Sequence, residues 1–161
     1  MEKLAWRDVL IFQFPLYLFS IPTIMKGWVD RAFVSSVIYG AGKRYEKGGL
    51  KGKKAMVVTS CGGYESMFKA DGLLGDLNVA LWHIHNGIFH YTGCEVLPPY
   101  VAYSPTYYSQ EQCVQYLDYY SDRLKSLESE KPLDFHYTHE FDENFKLKKE
   151  IEPRSTGHRR D

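Results

Sequence analysis

The sequence predicts an α/β fold on a parallel sheet, and a repeated pattern is what predicts it. Val9 to Phe14 is a continuous apolar run of strand length, followed by a proline and a helical segment. Lys54 to Thr59 is a second such run, and its exit carries Gly62-Gly63. A helical stripe and a third strand-like segment, Glu95 to Tyr103, come next. Strands that alternate with helices and cross over right-handedly give β-α-β-α-β-α, with helices on both faces of about three main strands.

Each element has a local reason. An uninterrupted apolar run suits a parallel strand covered on both faces, so Val9 to Phe14 is expected to be buried on both. Pro15 ends its ladder because it has no N–H to donate. Pro22 fits a helix's first turn, where a missing donor has no intrahelical partner anyway, and that helix should run to about Phe33. Leu77, Leu81, Ile84 and Ile88 recur at intervals of four, three and four, which predicts one helical stripe closed by Gly93. Pro98-Pro99 predicts an irregular or edge-lying third strand. Ser109 to Gln112 has capping-box spacing, with Cys113, Leu117, Tyr120, Leu124 and Leu127 as the buried stripe of a last helix. The α/β domain is expected over residues 1–131. Residues 132–161 form an aperiodic extension whose polar end, from Arg154, should fray.

Composition excludes several functions. A chain of 161 residues can bury about 70% of its unfolded surface, enough for one compact domain. Twenty basic residues balance twenty acidic ones, so no field gathers nucleic acid or anionic lipid. Cys61, Cys94 and Cys113 have no zinc-like spacing, and a reducing cytosolic setting fits them. Val9 to Met25 is too short and too broken by Gln13, Pro15 and Pro22 for a membrane span, and it lacks the flanks of a signal peptide. His83 and His85 point about 200° apart on a helix, so with His90 they do not read as a metal site. Cys61 lies where a helix N-terminus could stabilise a thiolate, but with no base nearby it reads better as a small filler. Tyr116, Tyr119 and Tyr120 read as a half-buried face.

In an open α/β sheet a ligand sits beyond the carboxyl ends of the strands, which selects Pro15 to Phe19 and Ser60 to Gly63. Together with Asp8 to Asp30 and Gly72 to Asn78, these segments resemble the flavodoxin-like NAD(P)H:quinone oxidoreductases, the FAD-dependent DT-diaphorase family. The resemblance runs from about Leu4 to the His158 region. It implies that Pro15, Leu16, Tyr17, Leu18, Phe19, Ser60, Cys61, Gly62, Gly63 and Phe68 hold FAD, largely through backbone N–H groups. It further implies that Tyr39, Met67 and Tyr91 line a quinone pocket, and that Phe145 reaches the partner subunit's pocket in a homodimer. NAD(P)H would be the electron donor.

The departures are as pointed. Where the family has Tyr and His beside the flavin, this chain has Phe68 and Leu74, which donate no hydrogen bond. No catalytic residue can therefore be named. Leu18 stands for a Trp, Ala41 for a gating Tyr, Cys113 for an Arg near the adenosine, and Ser60 and Cys61 for two threonines. The family's first βαβ unit, with its phosphate loop, is expected to be absent, only a helix end (Met1 to Arg7) preceding the first strand. That would leave an apolar strand edge open to pairing. These departures support a second reading: a non-catalytic remnant that acts by dimerising or by associating with a full-length relative.

Overall fold

The computed structural model describes Leu4, residues 6–154 and residues 157–159. Met1, Glu2, Lys3 and Ala5 lie outside the described residues, so the helix end expected there is represented by Leu4 and Trp6 alone.

Strand β1 (Val9–Pro15) pairs in parallel with β2 (Lys54–Cys61) along its whole length, from Val9 opposite Lys54 to Pro15 opposite Ser60. On the other side of β2 the third strand is broken as its prolines predict. β3 (Glu95–Val96) and β4 (Tyr100–Tyr103) pair in turn with the two ends of β2, both in parallel. The interruption is held by Arg123, whose guanidinium donates to the carbonyls of Pro98 and Pro99 and to the Glu130 carboxylate. A proline cannot donate to a ladder, but its carbonyl still accepts.

Helices lie on both faces. Helix α1 (Thr23–Ala32) begins directly after Pro22, whose carbonyl accepts from Met25 and Lys26. It shares a core face with Leu10, Phe12, Phe14, Ala55 and Val57. The predicted stripe of Leu77, Leu81, Ile84 and Ile88 is buried on that face too. Its backbone, however, is not one α-helix. It divides into α2 (Leu77–Ala80), α3 (Trp82–Ile84) and a π-helical turn, His85–His90. The wider turn places Ile84 and His85, then Ile88 and Phe89, all inward. Gly93, at φ 103°, closes the segment as expected.

The opposite face is thinner and corrects two expectations. Helix α4 (Gln110–Ser126) starts at the capping box of Ser109 and Gln112. It meets the sheet at Tyr116, Tyr120 and Arg123 rather than at Leu117 and Leu124, which are 61% and 39% exposed. Tyr100 is the reason. Its ring lies 4.7 Å from that of Tyr116 and 5.1 Å from that of Tyr120, and its hydroxyl donates to the Tyr116 carbonyl at 2.7 Å. The contact row is thus 116, 120, 123 and 127, with Leu127 fully packed. Tyr119, the third member of the expected tyrosine face, is exposed. Because α4 rests over β2 and β4, β1 is buried on one face only: Leu10, Phe12 and Phe14 point in, while Ile11 and Gln13 are exposed.

The segment after Pro132 returns along the sheet. The Leu133 N–H donates to Val96, and Phe135 enters the main core. The fraying expected of the polar end does not extend to Arg154, which pairs with Glu140 and Asp134. Nor does it extend to His158, whose ring meets Trp82, His136 and Phe141. Ser155, Thr156, Arg160 and Asp161 lie outside the described residues.

Candidate active site

The carboxyl ends of β1 and β2 bring the two candidate loops together. Past the last register pair, Leu16 donates its N–H to the Ser60 carbonyl at 2.8 Å. The chain then turns sharply: Tyr17 and Ser20 exchange both backbone hydrogen bonds, and between them Leu18 and Phe19 have φ of 46° and 63°. Two consecutive left-handed residues are what glycine and asparagine normally supply in such a turn. Holding Leu and Phe there stores about 1–3 kcal/mol each, and strain of this kind gathers at ligand sites. The turn's own hydrogen bonds leave the Leu18 and Phe19 amides unused. Pro15, Tyr17, Leu18 and Phe19 are all exposed, Leu18 at 95%, and Leu16 is half-buried.

The second loop is tied from behind. Ser104 donates its N–H to the Cys61 carbonyl and its hydroxyl to that of Gly62, at 2.8 and 3.0 Å. Gly62 has open space where a Cβ would stand, whereas a Cβ on Gly63 would press on the Phe68 ring at 2.8 Å. Phe68 is buried, with its ring 6.2 Å from that of Phe19 and 5.8 Å from that of Tyr103, and Leu74 packs at Gly63 beside it. Phe19, Gly63, Phe68 and Leu74 thus form one wall. Burial pushes the Cys61 thiol above its ordinary pKa, so the residue stays protonated, the filler role rather than the thiolate. Among the described residues no group of three His, Cys, Asp or Glu side chains could hold a metal ion. No helix there is long and apolar enough to cross a membrane.

Tyr103 is a site residue that the sequence reasoning misses. It closes β4 opposite Cys61, and burial, reinforced by Cys61, Glu65 and Asp76, pushes its hydroxyl up to about 12. The rule that selects the other two loops, the carboxyl end of a strand, finds it once applied to the third strand.

The remaining candidates are Tyr39, Met67, Tyr91 and Phe145. Tyr39 and Tyr91 are half-buried, with ring centroids 5.9 Å apart, and Tyr45 leans on Tyr91 at 5.4 Å. Met67 packs against the main core. Phe145 stands 88% exposed on a tight turn in which the Asp142 carboxylate accepts from the Asn144 and Lys146 N–H groups. Leu74 donates its N–H to the Met67 carbonyl at 2.9 Å, which sets Met67 next to the Phe68–Leu74 wall.

Known proteins share this geometry. A family model described as a flavodoxin-like fold matches residues 1–124, and the chain belongs to that family. The kinship with quinone oxidoreductases holds as well. The chain is 39% identical over 155 residues to NAD(P)H dehydrogenase [quinone] 1 of Rattus norvegicus, covering 94% of itself and 57% of that protein. It is 37% identical over 132 residues to ribosyldihydronicotinamide dehydrogenase [quinone] of Mus musculus, covering 82% of itself and 57% of that protein. A crystal structure from Klebsiella pneumoniae, assigned as a quinone reductase, superposes with a TM-score of 0.87 at 33% identity, over 98% of this chain and 65% of that one. The FMN complex of general stress protein 14 from Treponema denticola matches at 0.64 and 25% identity, over 80% of this chain and 69% of that one. The chain therefore spans a little over half the length of the curated relatives it matches.

Proposed function

We propose that this chain is a flavin-dependent NAD(P)H:quinone oxidoreductase, with FAD as the flavin. The observation that carries the reading is the strained Leu18–Phe19 turn, fastened to the Ser60 to Gly63 exit at the carboxyl edge of the sheet. A flat ring with a polar rim fits this place. Free amides of one loop and the open side of Gly62 face its rim, and Phe19 and Leu16 offer apolar surface. When bound, FAD supplies the two-electron transfer, accepting hydride from NAD(P)H and passing it to a quinone.

The protein's part is positioning and exclusion of water. The Leu16–Ser60 hydrogen bond ties the two loops to each other and the Ser104–Gly62 bond ties the second to the end of β4, so the amide donors need little rearrangement to meet a ligand. Phe68 backs Gly63 and closes the interior side. We assign Tyr39, Met67 and Tyr91 to the quinone pocket, with Phe145 reaching the same pocket of the second subunit of a homodimer. Its exposure on a tight turn supports this. Residues 1–131 act as the flavin domain and 132–161 as the arm of the dimer contact, in a cytosolic setting.

A second reading is favoured by one observation. Neither Phe68 nor Leu74 can donate a hydrogen bond, and loss of one pre-organised donor costs about 10²–10³ in rate. A dimerising, non-catalytic relative would have this site. Purification decides between them: a yellow protein that releases FAD on denaturation and consumes NAD(P)H only with quinone present supports the enzyme. A colourless protein that leaves FAD fluorescence unquenched on titration overturns it in favour of the second reading.

A further inference from the structure

Ser20 and His83 meet across 63 residues of sequence. Ser20 closes the β1 loop, where its N–H and carbonyl exchange hydrogen bonds with Tyr17, and the buried Ile21 anchors the chain directly after it. His83 is the middle residue of α3. The Ser20 Oγ lies 3.1 Å from His83 Nε2, and His83 Nδ1 lies 3.0 Å from the Ala80 carbonyl. Neither residue belongs to the wall of Phe19, Gly63, Phe68 and Leu74.

The break between α2 and α3 makes the second of these bonds available. In a continuous helix the Ala80 carbonyl would accept from the Ile84 N–H. Here Ile84 donates to Leu81 at 2.9 Å, and the Ala80 carbonyl is taken by the His83 ring. A carbonyl only accepts, so Nδ1 carries the ring proton, and in the neutral imidazole Nε2 is left with the lone pair. The Ser20 hydroxyl therefore donates to Nε2. A hydroxyl within reach of a base, with the base held in its tautomer by a third group, is the arrangement of an activated nucleophile. Ser20 is half-buried and His83 is exposed, so a reagent can reach the pair.

We propose that Ser20 accepts acyl groups from activated carboxylic esters, with His83 Nε2 as its general base and the Ala80 carbonyl positioning that base. The Ser20 Oγ bonds to the ester's carbonyl carbon as its proton passes to Nε2. The ester C–O bond then breaks, and the departing oxygen takes the proton from Nε2. The products are acyl-Ser20, the free alcohol and neutral His83. No electrons change hands, so this reaction goes beyond the oxidoreductase reading and does not rest on flavin being bound.

The test is incubation of the full chain with p-nitrophenyl acetate, following release of p-nitrophenolate and mapping the acetyl group by peptide mass spectrometry. Ser20 should be acetylated faster than the exposed Ser36 and Ser66, which serve as controls within the same molecule. Glutamine at position 83 keeps a side chain that can hydrogen-bond the Ser20 hydroxyl but is no base. His83→Gln should therefore slow acetylation of Ser20 about a hundredfold and leave Ser36 and Ser66 unchanged. Added imidazole should restore part of the Ser20 rate in His83→Ala, relative to the same two controls. Ser20→Ala should remove the fast phase of p-nitrophenolate release. Acetylation of Ser20 no faster than that of Ser36 or Ser66 overturns the proposal on the parent protein alone, whether or not the variants fold. An unchanged Ser20 rate in folded His83→Gln also overturns it, since a bond that only fastens the loop to α3 would give that result.

Discussion

Leu16 donates its backbone N–H to the Ser60 carbonyl at 2.8 Å, and this bond lies just past the last residue pair of β1 and β2. The sheet's ladder therefore continues into the loops, and the two candidate flavin loops leave it as one unit. The β1 loop is not relaxed: Leu18 and Phe19 are both left-handed.

Leu18→Gly tests that strain. Leu18 is 95% exposed, so its removal forfeits almost no burial. Glycine adopts positive φ without penalty, whereas an L-residue pays about 1–2 kcal/mol. Leu18→Gly should be more stable than Leu18→Ala by about 1 kcal/mol in urea unfolding, since Ala keeps the strain and Gly releases it. An Ala variant equal to the Gly variant would mean that the turn costs nothing.

His85 predicts a pH dependence. It is buried, its Nε2 has no hydrogen-bond partner, and burial, with a lesser contribution from His83, pushes its pKa down to about 4. In the unfolded chain it would titrate near its ordinary value of about 6.5. Below that pH the unfolded state takes up a proton that the folded state refuses. The stability is thus fully present above about pH 6.5 and is lost as pH falls toward about 4, at most about 3 kcal/mol in all. His85→Leu should flatten that part of the stability curve, measured by urea unfolding across the range. Burial also lowers His90 and His158, so a residual slope of the same sign should survive. An unchanged curve would show that His85 reaches solvent before it protonates.

The open face of α4 predicts a contrast between two leucines. Leu117 is 61% exposed and Leu127 is 5% exposed. Leu117→Ser should change stability by less than about 0.5 kcal/mol, as surface substitutions do, while Leu127→Ala should cost about 2–5 kcal/mol. Paired thermal melts compare them directly. A large loss from Leu117→Ser in the isolated chain would show that this face is covered in solution.

The same helix shows where sequence reasoning stops. Periodicity places the helix, its cap and Leu127, because each depends on spacing along one segment. It chooses Leu117 and Leu124 over Tyr116 and Arg123 because it ranks residues by hydropathy. Tertiary partners decide otherwise: the Tyr100 ring, and the Pro98 and Pro99 carbonyls that need a donor. The π-helical turn at His85–His90 escapes for a similar reason. Both an α and a π path bury Leu81, Ile84 and Ile88, and only the inward His85 and Phe89 distinguish them. Strand-end logic and the family resemblance together single out both loops as candidates. The left-handed Leu18 and Phe19 are illegible because nothing in a Leu-Phe pair signals positive φ.

The last prediction concerns Phe68 and Leu74. Phe68 is buried between Phe19 and Tyr103, and Leu74 packs beside it at Gly63. A hydroxyl at position 68 and an imidazole at position 74 would therefore be carried on one wall of the proposed flavin site and act on one developing charge. Phe68→Tyr with Leu74→His should raise quinone reduction more than the product of the single effects. The expected gain is about tenfold or more, short of the 10²–10³ that a fully pre-organised donor supplies. Steady-state rates on the four proteins of the cycle measure it, with flavin occupancy checked in each. The coupling separates this reading from a general change in packing, because two groups that merely loosened the wall would act additively or cancel. No gain in the double variant at equal occupancy would place the reacting edge of the flavin away from this wall, nearer the Tyr39 and Tyr91 surface.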